Sequence, residues 1–377
     1  MESLQKTQTE ATRIEALVPV TKLQRSLEKP KDALLKLSYQ PTVFMALKVA
    51  HDMRIFPLLA NAASPVSAKE LATAKPADSL LVERIMRLLV SFDVVNEPKP
   101  GAYLPTAVSK QMVKRPVIGA VESLSCEFLP ILIKPPRISR CHQLRQPGRP
   151  RPLPAPVHPQ CLAGRLHLAL REPDALARFN DFMEGHRGSR TNWADWFPVR
   201  KRILDGADPG RPLLVDISGG RGHDLMLFQE RFPDAPGKLV LQDLPTVIDE
   251  AAPELNARGI QGVKYDFFKD PNPVQGAHYL KFIFHDWSDD KARVLLNHVV
   301  SAMEAGCSKV VIEEYILPDQ NAQFLHGTTD MAVMIFCAGL ERTRAQWRTL
   351  LGSVGLQPTA WTREDEGLGV IEAVLPV

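Results

Sequence analysis

The chain has 377 residues, of which 45% are hydrophobic and 24% charged, and its formal net charge is +3. This length accommodates two domains, and so small a charge indicates neither nucleic acid nor a membrane surface as a partner. Because the sequence has no run of eighteen apolar residues, no apolar signal-peptide core and no paired spacing among its five cysteines, we expect a cytoplasmic protein without a membrane span or a zinc site.

The N-terminal third predicts a small helical domain that ends in a hairpin. Apolar spacing indicates an arm of one or two helices over residues 1–40 and a mostly buried helix over residues 41–60. A capping box begins a short helix at Ser67, and a longer amphipathic helix follows over residues 78–91. Alternating residues on either side of a Pro-Gly turn then predict a hairpin over 94–104. Helices followed by a hairpin are typical of a winged helix.

A winged helix raises DNA binding as a rival function to oligomerisation. The helix that would enter a DNA groove carries Glu83 as well as Arg84 and Arg87. It therefore lacks the basic stripe that reading DNA requires. The composition favours an oligomerisation module over a DNA-binding regulator.

The middle of the chain has an unusual composition. Between Phe128 and Arg171 there is no Asp or Glu, while nine prolines and eight Lys or Arg residues occur. Such a segment cannot form a helix interior or a central strand, and we expect it to be the least ordered internal part of the chain. Two interpretations stay open: a basic, proline-rich loop, or residues introduced by a shifted reading frame or a misassigned exon.

A short stretch, LLVDISGGRG over residues 213–222, predicts a cofactor-binding turn. Its apolar start indicates a buried strand that ends at Asp216, and a helical apolar pattern follows the turn. The small residues of the turn are Ser218, Gly219, Gly220 and Gly222. A strand, a glycine turn and a helix let a ligand approach the backbone next to a positive helix N-terminus.

A second acid about twenty residues further on identifies the kind of cofactor. Asp243 ends the next apolar strand, with Leu244 after it, at the spacing expected of a ribose-binding acid; a solvated acid at the start of a loop is the alternative. The chain has Leu225 where a dinucleotide fingerprint has Gly or Ala, and no P-loop lysine. Asp216 would repel a phosphate but attract a cation, so the turn suits S-adenosylmethionine better than NAD.

Strands and helices alternate through the rest of the chain. Apolar runs predict further strands at 263–268, 279–284, 309–313 and 370–375, with helices at 245–258, 289–304 and 343–354. This alternation predicts a doubly wound, Rossmann-like α/β sheet with ligands at the carboxyl ends of the strands. Asp266 and Phe267 close one of these strands, where an adenine can be hydrogen-bonded and stacked.

Several blocks in this region resemble one enzyme family. LLVDISGGRG, LVLQDLP, YDFFKD, LKFIFHDWSDD, VVIEEYILP and GLERT occur in this order, and they resemble the plant and fungal small-molecule O-methyltransferases of the caffeate O-methyltransferase type. The resemblance implies a winged-helix dimerisation domain over 1–125 and a methyltransferase domain over 173–377, and the composition predicts an irregular Pro/Arg-rich segment between them over 126–172. The resemblance also implies S-adenosylmethionine as cofactor, homodimers with intertwined N-terminal domains, and phenolic or enolic acceptors.

The resemblance also assigns roles to individual residues. It makes His285 the general base, Glu314 and Glu341 the carboxylates that flank it, Asp243 the ribose acid, Asp266 and Phe267 the adenine contacts, and Lys281 a cofactor contact. Two departures are visible: Ser218 stands where the family usually has glycine, and residues 128–171 do not resemble the helices that the family has there.

These residue types suit methyl transfer to a hydroxyl. A phenol has a pKa of about 10, so a histidine with a reference pKa of about 6.5 can accept its proton as the oxygen attacks. A histidine at a helix entry, bonded only to backbone, is the plainer interpretation of His285. We expect a metal-free O-methyltransferase for an aromatic or polyketide-like hydroxyl in secondary metabolism. The alternatives are a catalytically impaired dimeric binding protein of the same fold and a winged-helix DNA-binding regulator.

Overall fold

The computed structural model describes residues 10–130, 172–188, 191–337, 339–362 and 368–376. The described residues fall into two compact units, one formed by 10–130 with 172–188 and the other by the residues from 191 onward. Residues 131–171 lie outside the described residues, so the irregular structure expected there stays a prediction. None of the helices described is long and apolar enough to cross a membrane.

The first unit contains eight described α-helices, a π-helical turn over Leu124–Phe128 and a three-stranded sheet. Its helices are α1 (Glu10–Leu27), α2 (Pro30–Asp52), α3 (Ile55–Ala60), α4 (Ala68–Leu71), α5 (Ser79–Val90), α6 (Ala107–Gln111), α7 (Arg115–Ser123) and α8 (Pro173–Gly188). Its strands are β1 (Val66–Ser67), β2 (Val95–Lys99) and β3 (Ala102–Pro105), in the order β1-β3-β2.

The predicted winged-helix arrangement is present in this unit. Ser67 and Glu70 form the capping box at the start of α4, and β2 and β3 pair as the antiparallel hairpin. The α5 face that carries Val82, Met86 and Leu89 is fully buried in the core of the unit. Local pattern and tertiary burial therefore agree, which explains why the sequence predicted this domain correctly.

Helix α8 packs in the first unit, on α7. A β-carbon added at Gly119 of α7 would lie 2.6 Å from the Asp181 Cβ and 2.9 Å from the Phe182 backbone nitrogen. Phe182 also packs edge-on against Phe128. The domain limit expected at residue 173 assigns this helix to the methyltransferase domain. An apolar pattern in a sequence shows that a helix packs, but not on what. The domain limits that run through the undescribed residues stay a prediction.

The second unit alternates strands and helices. Its strands are β4 (Pro212–Ile217), β5 (Lys238–Asp243), β6 (Gln261–Lys264), β7 (Ala277–Lys281), β8 (Lys309–Leu317), β9 (Arg342–Thr343), β10 (Gln357–Thr362) and β11 (Leu368–Val374). Its α-helices are α9 (His223–Arg231), α10 (Pro245–Ala257), α11 (Asp289–Val300), α12 (Phe324–Cys337) and α13 (Arg344–Gly352).

These strands form the predicted doubly wound sheet, in the order β10-β11-β8-β7-β4-β5-β6, with β9 beside β8. Five neighbouring strands run parallel to one another: β8, β7, β4, β5 and β6. Strand β11 pairs antiparallel with β8, and β10 pairs antiparallel with β11. Along β4, Leu214 belongs to one apolar cluster and Val215 to another, because successive side chains of a strand point to opposite faces. Both faces are covered, and the carboxyl ends of the parallel strands carry the site.

The structure corrects several predicted element limits. Strand β7 ends at Lys281 and not at residue 284, because Phe282 turns the chain with a positive φ of 53°. Strand β6 ends at Lys264, so Asp266 and Phe267 lie in the loop that follows it. Strand β8 continues through Glu314 to Leu317 instead of ending at residue 313. Helix α12 and strand β10 were missed.

Candidate active site

The glycine turn between β4 and α9 takes backbone conformations that few residues adopt. Ser218, Gly220 and Gly222 have φ angles of 62°, 62° and 80°, in the left-handed region that glycine tolerates best. A β-carbon added at Gly219 would overlap the Asp216 carboxylate and lie 2.7 Å from Leu241 Cδ1. The turn therefore needs glycine at 219, and Ser218 is strained at the position where the family usually has glycine.

Asp243 is anchored to this turn. Its Oδ2 accepts the Gly220 N–H at 2.9 Å, and its Oδ1 accepts the Leu244 N–H at 2.7 Å. The carboxylate is almost wholly buried, so these two bonds fix its orientation. Each carboxylate oxygen has a second lone pair, which leaves acceptors for the two hydroxyls of a ribose.

Asp266 and Phe267 lie together in the loop after β6, beside Trp287. The Asp266 carboxylate accepts the Phe268 N–H at 3.1 Å and pairs with Lys269 at 2.9 Å. The Phe267 ring is partly buried, with its centroid 4.7 Å from that of Phe268 and 6.3 Å from that of Trp287. A carboxylate beside an aromatic wall is the arrangement expected for an adenine, and this role stays a prediction.

Lys281 lies in a partly buried network of charges at the end of β7. Its Nζ donates to Asp224 Oδ1 at 2.7 Å and lies 3.6 Å from Glu313 Oε2. The Tyr279 hydroxyl donates to Glu313, and burial raises the pKa of that carboxyl. The geometry shows the Lys281 amine paired with carboxylates and does not test the predicted role of Lys281 as a cofactor contact.

His285 sits on a short 3₁₀ turn, Phe284–Asp286, that follows β7. Its Nδ1 donates to Glu341 Oε1 at 3.0 Å, and its ring stacks on Phe282 with centroids 5.6 Å apart. Because Nδ1 carries the proton of the hydrogen bond to Glu341, Nε2 is the ring nitrogen that can accept another proton. This nitrogen lies 3.6 Å from Asp286 Oδ1.

Glu314 holds the backbone that carries His285. Its Oε1 accepts three consecutive N–H groups, those of Ile283 at 3.1 Å, Phe284 at 2.6 Å and His285 at 3.3 Å. The sequence analysis expected both carboxylates to flank the histidine. Glu341 bonds the ring, while Glu314 is bonded to the main chain and fixes the turn.

The buried charges of this cluster alter its titration. Burial alone would lower the pKa of His285, but the hydrogen bond with Glu341 and the negative charges of Glu314 and Glu341 raise it to about 9. Burial raises the pKa of Glu314 to about 7, against the influence of His285. The pocket therefore favours a positive charge on the imidazole when no other cation is near.

Arg342 is a functional residue that the sequence analysis quoted within GLERT but did not single out. Its guanidinium is fully buried and donates to the carbonyls of Phe284 at 2.8 Å and Trp287 at 2.7 Å, and to Asp289 Oδ1 at 2.9 Å. The only signal in the sequence was an arginine directly after the predicted catalytic glutamate, Glu341. Arg342 ties the His285 turn to the segment that carries Glu341.

The family is shown by direct comparison with known proteins. Residues 198–357 match the O-methyltransferase domain and residues 35–115 match the O-methyltransferase dimerisation domain. The chain is 34% identical to O-methyltransferase penC of Penicillium thymicola, over 93% of this chain and 88% of penC. It is also 34% identical to O-methyltransferase asqD of Emericella nidulans, over 89% and 87% of the two chains.

A solved structure agrees with these relatives. The structure of LepI in complex with S-adenosylmethionine aligns with a TM-score of 0.84 and 25% identity, covering 99% of this chain and 96% of LepI. The chain belongs to the O-methyltransferase family. It is an S-adenosylmethionine-dependent O-methyltransferase with the family's dimerisation domain at its N-terminal side.

The residues present fit this cofactor. Gly219 lets the turn pack directly against the Asp216 carboxylate, no atom lies within 4 Å of a β-carbon added at Gly220, and the anchored Asp243 carboxylate offers acceptors for ribose hydroxyls. The buried carboxylates of Asp216 and Glu313 and the partly buried carboxylate of Asp224 lie at or near the turn, and they outnumber the single amine of Lys281. This excess of negative charge suits a ligand that carries an ammonium and a sulfonium group and no phosphate.

Proposed function

We propose that this enzyme methylates the hydroxyl of an aromatic or polyketide-like small molecule of secondary metabolism, with His285 as the general base. The observation that carries the proposal is the Nδ1–H of His285 bonded to the buried Glu341, which leaves Nε2 as the proton acceptor. A relative supports the class of acceptor: demethylsterigmatocystin 6-O-methyltransferase of Aspergillus parasiticus is 28% identical over 90% of this chain and 86% of its own.

The chemistry follows from the order in which charge appears. S-adenosylmethionine, when bound, supplies a methyl group that needs no further activation. His285 Nε2 takes the hydroxyl proton as the acceptor oxygen forms its bond to carbon and the carbon–sulfur bond breaks. Glu341 then faces an imidazolium across 3.0 Å and stabilises it, while Glu314 prevents the turn from moving.

The raised pKa of His285 has a consequence for this mechanism. A base must be neutral, yet the surrounding carboxylates favour the protonated ring below about pH 9. A positive charge brought close to the imidazole lowers its pKa. We therefore infer that cofactor binding, which brings a cation, is what releases the proton of His285 and prepares the base.

The test measures methyl transfer and cofactor affinity separately. Hydroxylated aromatic compounds are offered with S-adenosylmethionine, and S-adenosylhomocysteine and methyl ether are quantified. His285→Ala should lower kcat by about 10²–10⁴-fold without weakening cofactor binding measured by calorimetry, because the variant has no imidazole proton for the cofactor cation to oppose. His51→Ala is the matched control, because that histidine pairs with Glu122 in the first unit.

Three outcomes would contradict the proposal. A His285→Ala enzyme with more than about a tenth of the wild-type rate would show that His285 is not the base. Cofactor binding without product from any acceptor would support the impaired binding protein. Conversion of an acceptor without formation of S-adenosylhomocysteine would identify a reaction other than methyl transfer.

A further inference from the structure

Three side chains at the site converge although they are distant in the sequence. His285, Glu314 and Glu341 each offer one ligand atom, and these atoms all lie within 4.8 Å of one another. The two glutamates are 1% and 2% exposed. The sequence analysis expected no metal-ligand cluster, because it looked for ligands at short spacing and these come from three separate segments.

Each glutamate is anchored by one oxygen and leaves the other without a partner. Glu314 Oε1 accepts three backbone N–H groups and Glu341 Oε1 accepts the imidazole proton. The Oε2 atoms of both are buried and have no hydrogen-bond partner within the described part of the chain. A buried polar atom without a partner carries a desolvation penalty. A bound cation or a hydrogen-bond donor would offset this penalty at both oxygens.

The donor set indicates the kind of cation. One imidazole nitrogen with two carboxylate oxygens suits Zn²⁺, Co²⁺ or Ni²⁺, whereas Mg²⁺ and Ca²⁺ prefer oxygen alone. The His285 Nδ1 to Glu341 Oε1 distance of 3.0 Å agrees with two adjacent ligands at bonds of about 2.0–2.1 Å, which are about 3.0–3.4 Å apart. Two carboxylates also match the charge of a divalent ion.

We propose that His285, Glu314 and Glu341 form a binding site for a divalent transition-metal ion, and that occupation of this site inhibits methyl transfer. The ion displaces the Nδ1 proton between His285 and Glu341 to solvent and coordinates Nδ1. The neutral ring then carries its remaining proton on Nε2, so Nε2 cannot accept the proton of a hydroxyl. The inhibitory half of this proposal rests on the proposed function. The binding half rests only on the three side chains and their anchored carboxylates.

Binding is tested first without reference to activity. Full-length protein is treated with chelator, and Co²⁺ is added while visible d–d absorption is recorded; Zn²⁺ affinity then follows from competition with a chromophoric indicator. We expect about one ion per chain, with affinity lowered at least tenfold by Glu341→Gln and by His285→Ala. The matched control is His51→Ala, which removes a His–Glu pair of similar distance, 3.1 Å to Glu122, that has no third ligand.

Inhibition is tested next, with circular dichroism confirming that each variant is folded. Zn²⁺ should abolish turnover, chelator should restore it, and Mg²⁺ at the same concentration should have no effect. Zn²⁺ binding unchanged in both Glu341→Gln and His285→Ala would overturn the site, and bound Zn²⁺ with undiminished turnover would overturn the inhibition. A wild-type enzyme that binds Co²⁺ through these residues but methylates nothing would support the site and contradict the proposed function instead.

Discussion

Arg342 offers the sharpest test of how this fold holds its base. The side chain is wholly buried and donates to two carbonyls of the turn around His285 and to Asp289. Arg342→Met keeps most of the aliphatic length that packs near Trp347, whose ring centroid lies 5.4 Å from the guanidinium carbon. The substitution therefore removes the hydrogen bonds while leaving much of the packing.

The loss in the free energy of unfolding follows from the hydrogen-bond acceptors that lose the Arg342 guanidinium. The Trp287 carbonyl is left without a donor, and an unsatisfied buried group costs about 1–3 kcal/mol. The Phe284 carbonyl keeps the Trp287 N–H at 3.1 Å and loses one hydrogen bond, worth about 0.5–1.5 kcal/mol. The bond to Asp289 contributes less, because that carboxylate is half exposed. We expect the free energy of unfolding to fall by about 2–5 kcal/mol.

Urea unfolding of wild type and variant measures this difference directly. Arg293→Met is the matched control, since Arg293 is exposed and pairs with Asp290 and Ser353 at 3.1 Å, and it should lose no more than about 1 kcal/mol. At a temperature where Arg342→Met is folded, kcat should fall while the cofactor Kd is kept. Equal destabilisation by the two substitutions would refute the argument.

Three further predictions concern the glycine turn and the base. Ser218→Gly should raise the free energy of unfolding by about 1 kcal/mol, because a φ of 62° is unfavourable for a side chain; lower stability in urea would contradict this. Gly219→Ala should abolish cofactor binding by calorimetry, whereas Gly352→Ala, with no atom within 4 Å of the added carbon, should bind normally. The pKa of His285, raised to about 9 in the enzyme without cofactor, predicts that kcat/KM for S-adenosylmethionine increases with pH up to about 9, and that Glu341→Gln moves this limb to lower pH. The same shift stabilises the fold fully below about pH 6.5, and this contribution is lost as the pH rises through about 9.

The parts of the site that the sequence predicted are those set by local geometry. Where a strand, a tight turn and a helix follow one another, the spacing of residues along the segment fixes which positions approach a ligand. Gly219 is therefore indispensable where the pattern placed it, and Asp243 meets the turn through the Gly220 N–H. Ser218 was noted as a departure from the family, and its positive φ gives the physical reason why glycine is usual there.

The parts that the sequence did not predict depend on contacts between distant segments. Glu314 can accept three backbone N–H groups only because β8 continues past Glu313 and β7 ends before Phe282. The sequence-based prediction placed both strand ends wrongly. Helix α8 shows the same limitation, because its apolar face is visible in the sequence but its partner α7 is not. The composition of residues 131–171 was informative, yet the structure expected there stays a prediction.

Charge links the cofactor site to the base. The carboxylates that hold His285 also increase its affinity for a proton, so an isolated site keeps the base protonated at neutral pH. Any cation that enters opposes that proton: the sulfonium of the cofactor, which leaves Nε2 neutral and usable, or a metal ion, which occupies the imidazole itself. In the proposed mechanism, the same two glutamates therefore make His285 dependent on the cofactor as a base, and through the proposed metal site they expose it to inhibition. A His285 that titrates at the same pH with and without bound cofactor, as followed by NMR of its ring, would contradict this coupling.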